Sequence, residues 1–321
     1  MKNYKILFLT GHRKSGTSML HNLFDGHEDF LVYPNDIAIL YAYYPSFIGK
    51  SYSFEFKKKR LLKIIRKTFQ NIKENNAEFN KNYFIQSIKK NLNKKNIDKI
   101  ELILKLIIKK YILFSKKKKF KYFVIKETSM SMHINMIKKW FKNIKFIQIV
   151  RDPRDNFSSL SSGLLKHYSK LGENKKILLS SMINRASLDF NLIEFNKKLL
   201  GNKKYYLLKF EKLVNYPKKE LKKICTFLNV KFNNVLLYPS ILGKRSKGNS
   251  FENKNLYYIS KENVKKWKKR LNKEEIEVIE FYFRDIIKKL NYPKIKKINV
   301  NSISNYYTWL NKTFYFKDSY K

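Results

Sequence analysis

Residues 9 to 24, which read LTGHRKSGTSMLHNLF, combine residue types and spacings that could bind a phosphate. Two glycines, Gly11 and Gly16, bracket a short loop between a strand-like run and a helix-like run. Such a loop presents backbone N–H groups at the N-terminus of a helix, where an anion is favoured. Lys14 adds a positive charge inside the loop, and three hydroxyl residues add further donors: Ser15, Thr17 and Ser18. The pattern therefore predicts a phosphate-binding loop.

The position of the lysine separates this loop from the common ATP-binding loop. In the ATP-binding loop a lysine follows the second glycine, and the next hydroxyl residue binds Mg²⁺. Here Thr17 stands in that lysine position. The nearest candidate for a metal-binding carboxylate, Asp152, is preceded by Arg151 and followed by Pro153. We therefore expect the loop to bind its phosphate without a metal ion.

Strand-like and helix-like segments alternate along most of the chain. The strand-like runs are residues 5–10, 121–127, 145–150 and 204–210, and the helix-length segments include 16–27, 129–142, 153–163 and 174–199. Short apolar strands that alternate with helices predict an α/β fold, an open parallel sheet flanked by helices in a three-layer sandwich. Ligands of such folds bind beyond the carboxyl ends of the strands, where the phosphate loop is expected.

The stretch from about 50 to 120 interrupts this alternation. It contains no strand-like run, it is basic, and Ile103, Ile107 and Tyr111 lie at helical spacing. We interpret it as a helical insertion over the carboxyl edge of the sheet, either an acceptor-binding cap or solvated helices packed on the core. Residues 1–292 are then one domain with this insertion. Residues 293–321 form an aromatic, basic tail without clear periodicity.

The net charge of this chain is extreme. Its 70 Lys and Arg against 25 Asp and Glu give +45 at pH 7. A field of this sign attracts nucleotides, acidic glycans, anionic lipid surfaces and nucleic acid. The lysines are scattered through helices and loops alike, which favours a compositional drift of the whole chain. Charge alone therefore does not select a partner.

Composition also bears on the compartment. The first strand-like run begins close to Met1, which leaves no room for a signal peptide, and no apolar run reaches the ~18 residues that span a bilayer. Cys225 is the only cysteine, so an internal disulfide and a cysteine-rich metal site are excluded. We expect a cytoplasmic protein whose membrane contact, if it has one, is peripheral.

Two segments resemble the sulfotransferases that use 3′-phosphoadenosine 5′-phosphosulfate (PAPS). Residues 13 to 18, from Arg13 to Ser18, fit the core of that family's 5′-phosphosulfate loop, and the DGHE after the following helix also fits. KFIQIVRDPRDNFSSL resembles the family's 3′-phosphate-binding strand and helix, in which a serine follows an arginine by eight residues. Here these residues are Arg151 and Ser159. A guanidinium and a hydroxyl on the same side would together clamp a dianion.

The resemblance covers about residues 1–50 and 120–292. It implies that the loop residues Arg13, Lys14, Ser15, Gly16, Thr17 and Ser18 bind the co-substrate. ILGKRSKGNSF resembles the late basic glycine loop that reaches the 3′ side of the nucleotide, with Arg245, Lys247 and Gly248 as the implied contacts. The closing segment VKKWKKRLNKEEIEVIE is similar to that of the bacterial and Golgi-type members. The helical insertion lies outside the resemblance, so the acceptor is not implied.

The resemblance further implies an in-line sulfuryl transfer, in which the protein mainly positions the reactants and stabilises developing charge. Lys14 would neutralise the leaving oxygen. Lys126 matches the lysine that relatives place beside the transferred sulfuryl group. The base of cytosolic sulfotransferases, a histidine two residues later, is replaced here by Thr128.

Golgi-type and tyrosylprotein sulfotransferases take their base from a carboxylate soon after the first helix. Asp36, in LVYPNDIAIL, stands at nearly that place and is our candidate for the general base. Glu127 is the alternative base. A competing interpretation makes Asp36 the N-cap of a helix over residues 36–44.

Three classes of function follow from these features. The main hypothesis is a metal-independent, PAPS-dependent sulfotransferase that acts on a hydroxyl or amine of a glycan, a lipid or a small molecule. An ATP-dependent kinase is disfavoured by Thr17, and a basic nucleic-acid-binding protein without catalysis depends on the +45 charge alone. The basic insertion weakly favours an anionic acceptor, such as an acidic polysaccharide or a lipid at a membrane surface. No specific nucleic acid is expected as a partner.

Overall fold

The computed structural model describes residues 4–43, 52–70, 79–93, 99–164, 174–246, 248, 257–294 and 297–314. Within these ranges the strands are β1 (Lys5–Thr10), β2 (Phe30–Asp36), β3 (Tyr122–Lys126), β4 (Ile144–Val150), β5 (Tyr205–Lys209), β6 (Ser240–Ile241) and β7 (Lys244–Arg245). The helices are α1 (Thr17–Leu23), α2 (Ile39–Tyr43), α3 (Phe54–Phe69), α4 (Lys81–Leu92), α5 (Ile100–Phe114), α6 (Ile134–Trp140), α7 (Pro153–Ser161), α8 (Lys175–Lys204), α9 (Phe210–Asn215), α10 (Pro217–Leu228), α11 (Trp267–Arg270), α12 (Lys273–Tyr282), α13 (Arg284–Lys289) and α14 (Val300–Phe314).

Five strands form one parallel sheet in the order β2-β3-β1-β4-β5. β6 and β7 form a separate antiparallel hairpin. Because the five strands are parallel, the segments that follow β1, β2, β3, β4 and β5 all leave from the same edge of the sheet. The predicted open parallel sheet is confirmed.

Alternate residues of the strands supply the two faces of the sheet. In β1, Ile6 and Phe8 join the core cluster that includes α3, α4, α5 and α6, whereas Leu7 and Leu9 join the cluster that includes α1, α9 and α10. The strand period of two explains this division, and both faces are apolar because helices cover both. A third cluster holds α7, α8 and α11 to α14 together.

The edge strand β2 was not predicted, and a helix over residues 36–44 was. The structure ends β2 at Asp36 and begins α2 at Ile39, so Asp36 does not cap a helix. Pro34 lies inside the strand, and a proline is tolerated at an edge because an edge strand needs only one side of its ladder. The register against β3 shifts between Val32 and Asp36. Pro34 therefore obscured the strand signal in the sequence.

The insertion forms α3, α4 and α5, as the helical spacing predicts. Phe69 and Tyr111 of these helices contact the ring of Tyr33 in β2, and the Tyr111 hydroxyl donates to the Val32 carbonyl at 3.0 Å. Tyr111 also meets Phe123 of β3 edge-to-face. The buried side of the insertion thus lies on one face of the sheet beside β2 and β3. A role for these helices in acceptor binding stays a prediction.

The segment after residue 292 contains α14, an element for which the sequence offered no periodic signal. Tyr306 of this helix is 3% exposed and packs within the third cluster. The Ser302 hydroxyl donates to Glu277 of α12 at 2.5 Å. None of the helices in the described ranges has both the length and the apolarity needed to cross a membrane.

Candidate functional site

The loop between β1 and α1 depends on both of its glycines. Gly11 has φ 147°, and a Cβ there would lie 2.2 Å from the carbonyl oxygen of Ile149 in β4. Gly16 has φ 95°, and its Cβ would lie 2.6 Å from the ring of Phe210. Lys14, between them, is also left-handed at φ 66°. The loop can approach β4 and α9 this closely only because two residues lack a side chain.

Side chains from the neighbouring strand and helix hold the loop in place. Asn156 of α7 donates from Nδ2 to the Arg13 carbonyl at 2.9 Å and to the Ser15 hydroxyl at 3.0 Å. Arg151, which follows β4, donates from Nη1 to the Lys14 carbonyl at 2.9 Å. Asn156 was not predicted as a site residue, and no motif marks it beyond its place in RDPRDN.

The loop forms one wall of a cleft at the carboxyl edge of the sheet. The lining residues are Lys14, Gly16, Ser18, Met19, Asn22, Asn35, Arg151, Ser159, Ser162, Phe210, Pro239, Ile241, Ser246, Gly248, Tyr258, Ser260, Asn263 and Arg270. Three of the described lining residues are cations, nine carry a hydroxyl or an amide side chain, and none is Asp or Glu. Such a lining is suited to a ligand with several negative charges.

Arg151 and Ser159 both line this cleft, as their predicted clamp requires. The guanidinium of Arg151 is buried, lies 4.6 Å from the Phe210 ring centroid, and donates from Nη2 to the Asn263 carbonyl at 2.5 Å. Its buried Nε has no hydrogen-bond partner among the described residues. A buried donor without a partner is costly, so an anion bound beside this N–H would lower that cost.

Lys14 is the second cation of the cleft. Burial, and to a smaller extent the nearby charge of Arg151, lower the pKa of Lys14 to about 8. Two cations are thus held close together in a cleft whose described lining contains no Asp or Glu, and the carboxylates that act on Arg151 (Asp155, Glu211 and Asp152) lie outside that lining. A bound polyanion would relieve both the repulsion and the cost of burial.

The residues after Arg151 organise the opposite wall. Asp152 caps α7 by accepting from the Arg154 backbone N–H at 3.0 Å, and Asp155 accepts from the backbone N–H groups of Lys265 at 2.6 Å and Trp267 at 3.1 Å. These bonds fasten the segment before α11 to α7. They explain how Arg270, far away in sequence, reaches the cleft.

A partly buried ion pair lies beside the loop, between the ends of β2 and β3. Lys126 Nζ donates to Asp36 at 2.7 Å and to the Ser18 hydroxyl at 3.1 Å. Thr128 donates to the other Asp36 oxygen from its backbone N–H and its hydroxyl, each at 3.0 Å. The Lys126 side chain is 2% exposed, whereas that of Asp36 is 39% exposed. Asp36 is therefore the more accessible member of the pair, and neither residue is part of the cleft lining described above.

Burial opposes the ionisation of Asp36, but the ammonium of Lys126 and the hydrogen bonds from Lys126 and Thr128 outweigh it. The pKa of Asp36 is consequently lower than its usual value. Glu127, the alternative base, is 1% exposed and accepts from the Tyr41 backbone N–H at 2.6 Å. Burial raises the pKa of Glu127 to about 8. Its carboxyl serves α2 and does not line the cleft.

Of the remaining predicted residues, some line the cleft and others do not. Ser18, Gly16 and Gly248 line the cleft, whereas Ser15 and Thr17 are buried in the loop. Arg13 donates from Nη2 to the Ser181 hydroxyl of α8 at 3.0 Å. The exposed guanidinium of Arg245 lies 5.1 Å from the Tyr238 ring centroid, outside the cleft lining. Lys247 lies outside the described residues.

Several lining residues were missed by sequence reasoning. They are Asn22, Asn35, Tyr258, Ser260, Asn263 and Arg270. Asn22 donates to the Ser246 hydroxyl at 3.1 Å, which ties α1 to the segment after β7. The basic run before Arg270 was visible in the sequence, but only its packing against α7 directs it to the cleft. Among the described residues no group of three or more His, Cys, Asp or Glu could hold a metal ion.

The chain matches a known protein family over most of its length. The sequence model of the sulfotransferase family matches residues 7–234 of the chain, which include the loop, the ion pair and the Arg151 segment.

Three solved structures share the fold. The sulfotransferase domain from the curacin biosynthetic pathway has a TM-score of 0.61 at 19% identity, over 92% of this chain and 100% of that one. The sulfotransferase domain of the Synechococcus PCC 7002 olefin synthase gives 0.53 at 17% identity, over 97% and 96% of the two chains. Sulfotransferase STF9 from Mycobacterium avium gives 0.51 at 11% identity, over 90% and 77%. The fold is thus the P-loop-like α/β sandwich that these proteins share.

Proposed function

Because the chain belongs to the sulfotransferase family, we propose that it transfers a sulfuryl group from PAPS to a hydroxyl or amine of an acceptor. The observation that carries this proposal is the cleft, in which Lys14, Arg151 and Arg270 meet several hydroxyl and amide groups and no described carboxylate. PAPS carries anionic groups at both its 5′ and its 3′ positions, so it fits such a lining.

The two ends of the nucleotide fit different parts of the cleft. Lys14, Ser18 and the backbone N–H groups of the glycine loop would hold the 5′-phosphosulfate at the N-terminus of α1. Arg151 and Ser159 would hold the 3′-phosphate, and the buried Nε of Arg151 supplies a donor that has no described protein partner. Arg270 adds a third cation to this wall. Arg13, Arg245, Lys247 and Gly248 stay predicted contacts of the co-substrate.

The chemistry requires a proton acceptor and a cation at opposite ends of the reacting centre. PAPS supplies a sulfur that bonds to the acceptor oxygen or nitrogen as its bond to the bridging oxygen breaks, with the electron pair leaving on that oxygen. Lys14 would stabilise the charge that develops there, which is typically worth ~3–4 kcal/mol. Asp36 would take the acceptor proton. Lys126 would keep Asp36 ionised and oriented, through the bond of 2.7 Å.

Thermal stabilisation by the product nucleotide tests this proposal. Adenosine 3′,5′-bisphosphate (PAP), added with EDTA, should raise the melting temperature of the wild-type protein and should do so much less in Arg151→Ala. ATP with and without Mg²⁺ is the parallel measurement. Stabilisation by ATP only with Mg²⁺ would point to a kinase. No response to either nucleotide, together with tight and salt-sensitive oligonucleotide binding, would contradict the enzymatic function altogether.

The acceptor is proposed only by class. A hydroxyl or amine on a glycan, a lipid or a small molecule is compatible with Asp36 as the base, and the +45 charge favours an anionic acceptor or an anionic membrane surface nearby. The protein is proposed to act in the cytoplasm, with peripheral membrane contact at most. Transfer of labelled sulfate onto extracted glycans and lipids would identify the acceptor.

A further inference from the structure

Asn35 is a cleft residue that the proposed chemistry does not use. It lies near the carboxyl end of β2, and its side chain lines the cleft together with Lys14 and Ser18. Its backbone is left-handed, with φ 65°, at the point where the register of β2 against β3 shifts. Asparagine tolerates this conformation better than most residues other than glycine. The kink presents Asn35 to the cleft, while the next residue, Asp36, pairs with Lys126.

The carboxamide of Asn35 is available to a ligand. Asn35 is exposed, and within the described part of the chain its side chain forms no hydrogen bond. An amide offers two N–H donors and one carbonyl acceptor. Asn22, another asparagine of the cleft lining, instead donates from its side-chain amide to the Ser246 hydroxyl. Asn35 therefore does not serve to hold the walls of the cleft together.

Lys126, the donor expected at this end of the cleft, uses two of its three N–H groups within the protein. By resemblance, Lys126 would lie beside the transferred sulfuryl group, but its side chain is 2% exposed and does not line the cleft. Its ammonium donates to Asp36 and Ser18. Beyond Lys14, the described polar side chains that line the cleft near this pair include Ser18 and Asn35. Ser18 accepts from Lys126, and its hydroxyl also has an O–H donor. The amide of Asn35 adds further N–H donors on this side of the cleft.

We propose that Asn35 binds the sulfuryl group of PAPS, donating from Nδ2 to a non-bridging sulfuryl oxygen in the place that the resemblance gives to Lys126. Lys126 would then not contact the sulfuryl group and would instead orient Asp36 and Ser18 through its hydrogen bonds to them. This inference rests on the proposed function. It predicts a specific signature, because PAPS carries the sulfuryl group and PAP does not. Loss of the Asn35 amide should weaken the binding of PAPS and leave the binding of PAP unchanged.

The test is isothermal titration of PAPS and PAP, without any acceptor, against wild type, Asn35→Gly and Asn35→Asp. Glycine accepts φ 65° without strain, so Asn35→Gly removes the amide and keeps the backbone. One hydrogen bond to a charged oxygen corresponds to about a tenfold change in affinity or more. The ratio of PAPS affinity to PAP affinity should fall about tenfold in Asn35→Gly. It should fall further in Asn35→Asp, because a carboxylate would face the sulfuryl oxygens.

Asn229→Gly is the matched control. Asn229 is an exposed asparagine in the same left-handed region, φ 54°, at the end of α10 and outside the cleft lining. Its replacement should leave the ratio unchanged. A wild-type ratio in Asn35→Gly, or equal losses for PAPS and PAP, would overturn the role of Asn35 while leaving the proposed function intact. Failure of the wild-type protein to bind either nucleotide would overturn both.

Discussion

Lys14 and Asp36 are tuned in opposite ways by their surroundings. Lys14 is buried beside Arg151, and both effects favour its neutral form, which lowers its pKa to about 8. Asp36 is held in its charged form by the ammonium of Lys126 and by two donors of Thr128. Lys14 thus lies in a cleft that favours an anion, and Asp36, beside the glycine loop, is kept in the form that can accept a proton.

The pKa of Lys14 predicts how nucleotide binding depends on pH. A bound polyanion favours the charged lysine and raises its pKa, so binding takes up a proton above about pH 8. We expect the affinity for PAP to be nearly constant from ~pH 7 to ~pH 7.5 and to fall by up to about tenfold per pH unit above the pKa of free Lys14.

Isothermal titration of PAP between ~pH 7 and ~pH 9.5 measures this dependence. Lys14→Arg is the control, because a guanidinium stays charged over the whole range. The prediction concerns the slope and not the absolute affinity of Lys14→Arg: its pH dependence should be much flatter than that of the wild-type protein. An identical fall in Lys14→Arg would assign the proton to another group and contradict the prediction.

At the scale of single elements, the glycine loop, the end of β2 and the start of α7 converge because the strands are parallel. Lys14, Asp36 and Arg151 each lie within a few residues of the carboxyl end of a strand. Asn156 then connects α7 to the glycine loop through the Arg13 carbonyl and the Ser15 hydroxyl. The geometry of the loop is therefore sensitive to any change that separates it from β4 or α9.

Gly16→Ala should disrupt the loop. The added Cβ would lie 2.6 Å from the Phe210 ring, and φ 95° is unfavourable for alanine, so the loop must move. We expect the affinity for PAP to fall by about tenfold or more and the free energy of unfolding to fall by ~1–3 kcal/mol. Titration with PAP and denaturant unfolding measure the two effects.

Gly201→Ala separates backbone strain from damage to the loop. Gly201, in α8, also has a positive φ, 64°, but its Cβ would meet nothing within 4 Å. This variant should lose stability through backbone strain and keep its affinity for PAP. If Gly16→Ala and Gly201→Ala both bind PAP as tightly as the wild-type protein, the prediction that Gly16→Ala disrupts the glycine loop is wrong.

At the scale of the whole molecule, the +45 charge acts on folding and on binding in opposite directions. Like charges repel one another in the compact state, so the charge destabilises the fold, whereas the same charge attracts an anionic ligand. Both effects weaken with ionic strength, because the Debye length is ≈ 10 Å at 0.1 M salt and ≈ 3 Å at 1 M. Buried pairs such as Arg154 with Glu280 are screened much less.

Raising NaCl from ~20 to ~300 mM should therefore raise the melting temperature of the free protein by a few degrees and lower its affinity for PAP. Differential scanning fluorimetry and titration over the same salt series measure the two trends. Sulfate salts are avoided, because sulfate is itself an anion that the cleft could bind. Melting temperatures that are independent of NaCl would show that self-repulsion does not limit the stability of this fold.

Several features of the protein follow from the sequence by itself, because their signals are contiguous. The strand-loop-helix pattern around Lys14 and the pairing of Arg151 with Ser159 are local, and the alternation of apolar strands with helices fixes a parallel sheet. Parallel strands then bring the loop and Arg151 to one edge, since β1 and β4 are neighbours. The predicted cleft residues Lys14, Gly16, Ser18, Arg151 and Ser159 all meet there.

Other features were decided only by tertiary structure, because they depend on contacts between distant residues. Pro34 argues against a strand unless that strand lies at the edge of the sheet, and the sequence does not show that β2 is an edge strand. The left-handed backbone of Asn35 could be interpreted only once β2 was known. Lys126 stands at a motif position, but its ammonium forms an ion pair with Asp36, which lies at the end of the neighbouring strand β2. Arg270 reaches the cleft through the bonds of Asp155 to Lys265 and Trp267. The sequence does not reveal which of these distant residues contact each other, because the contacts depend on packing and on the need to satisfy buried polar groups.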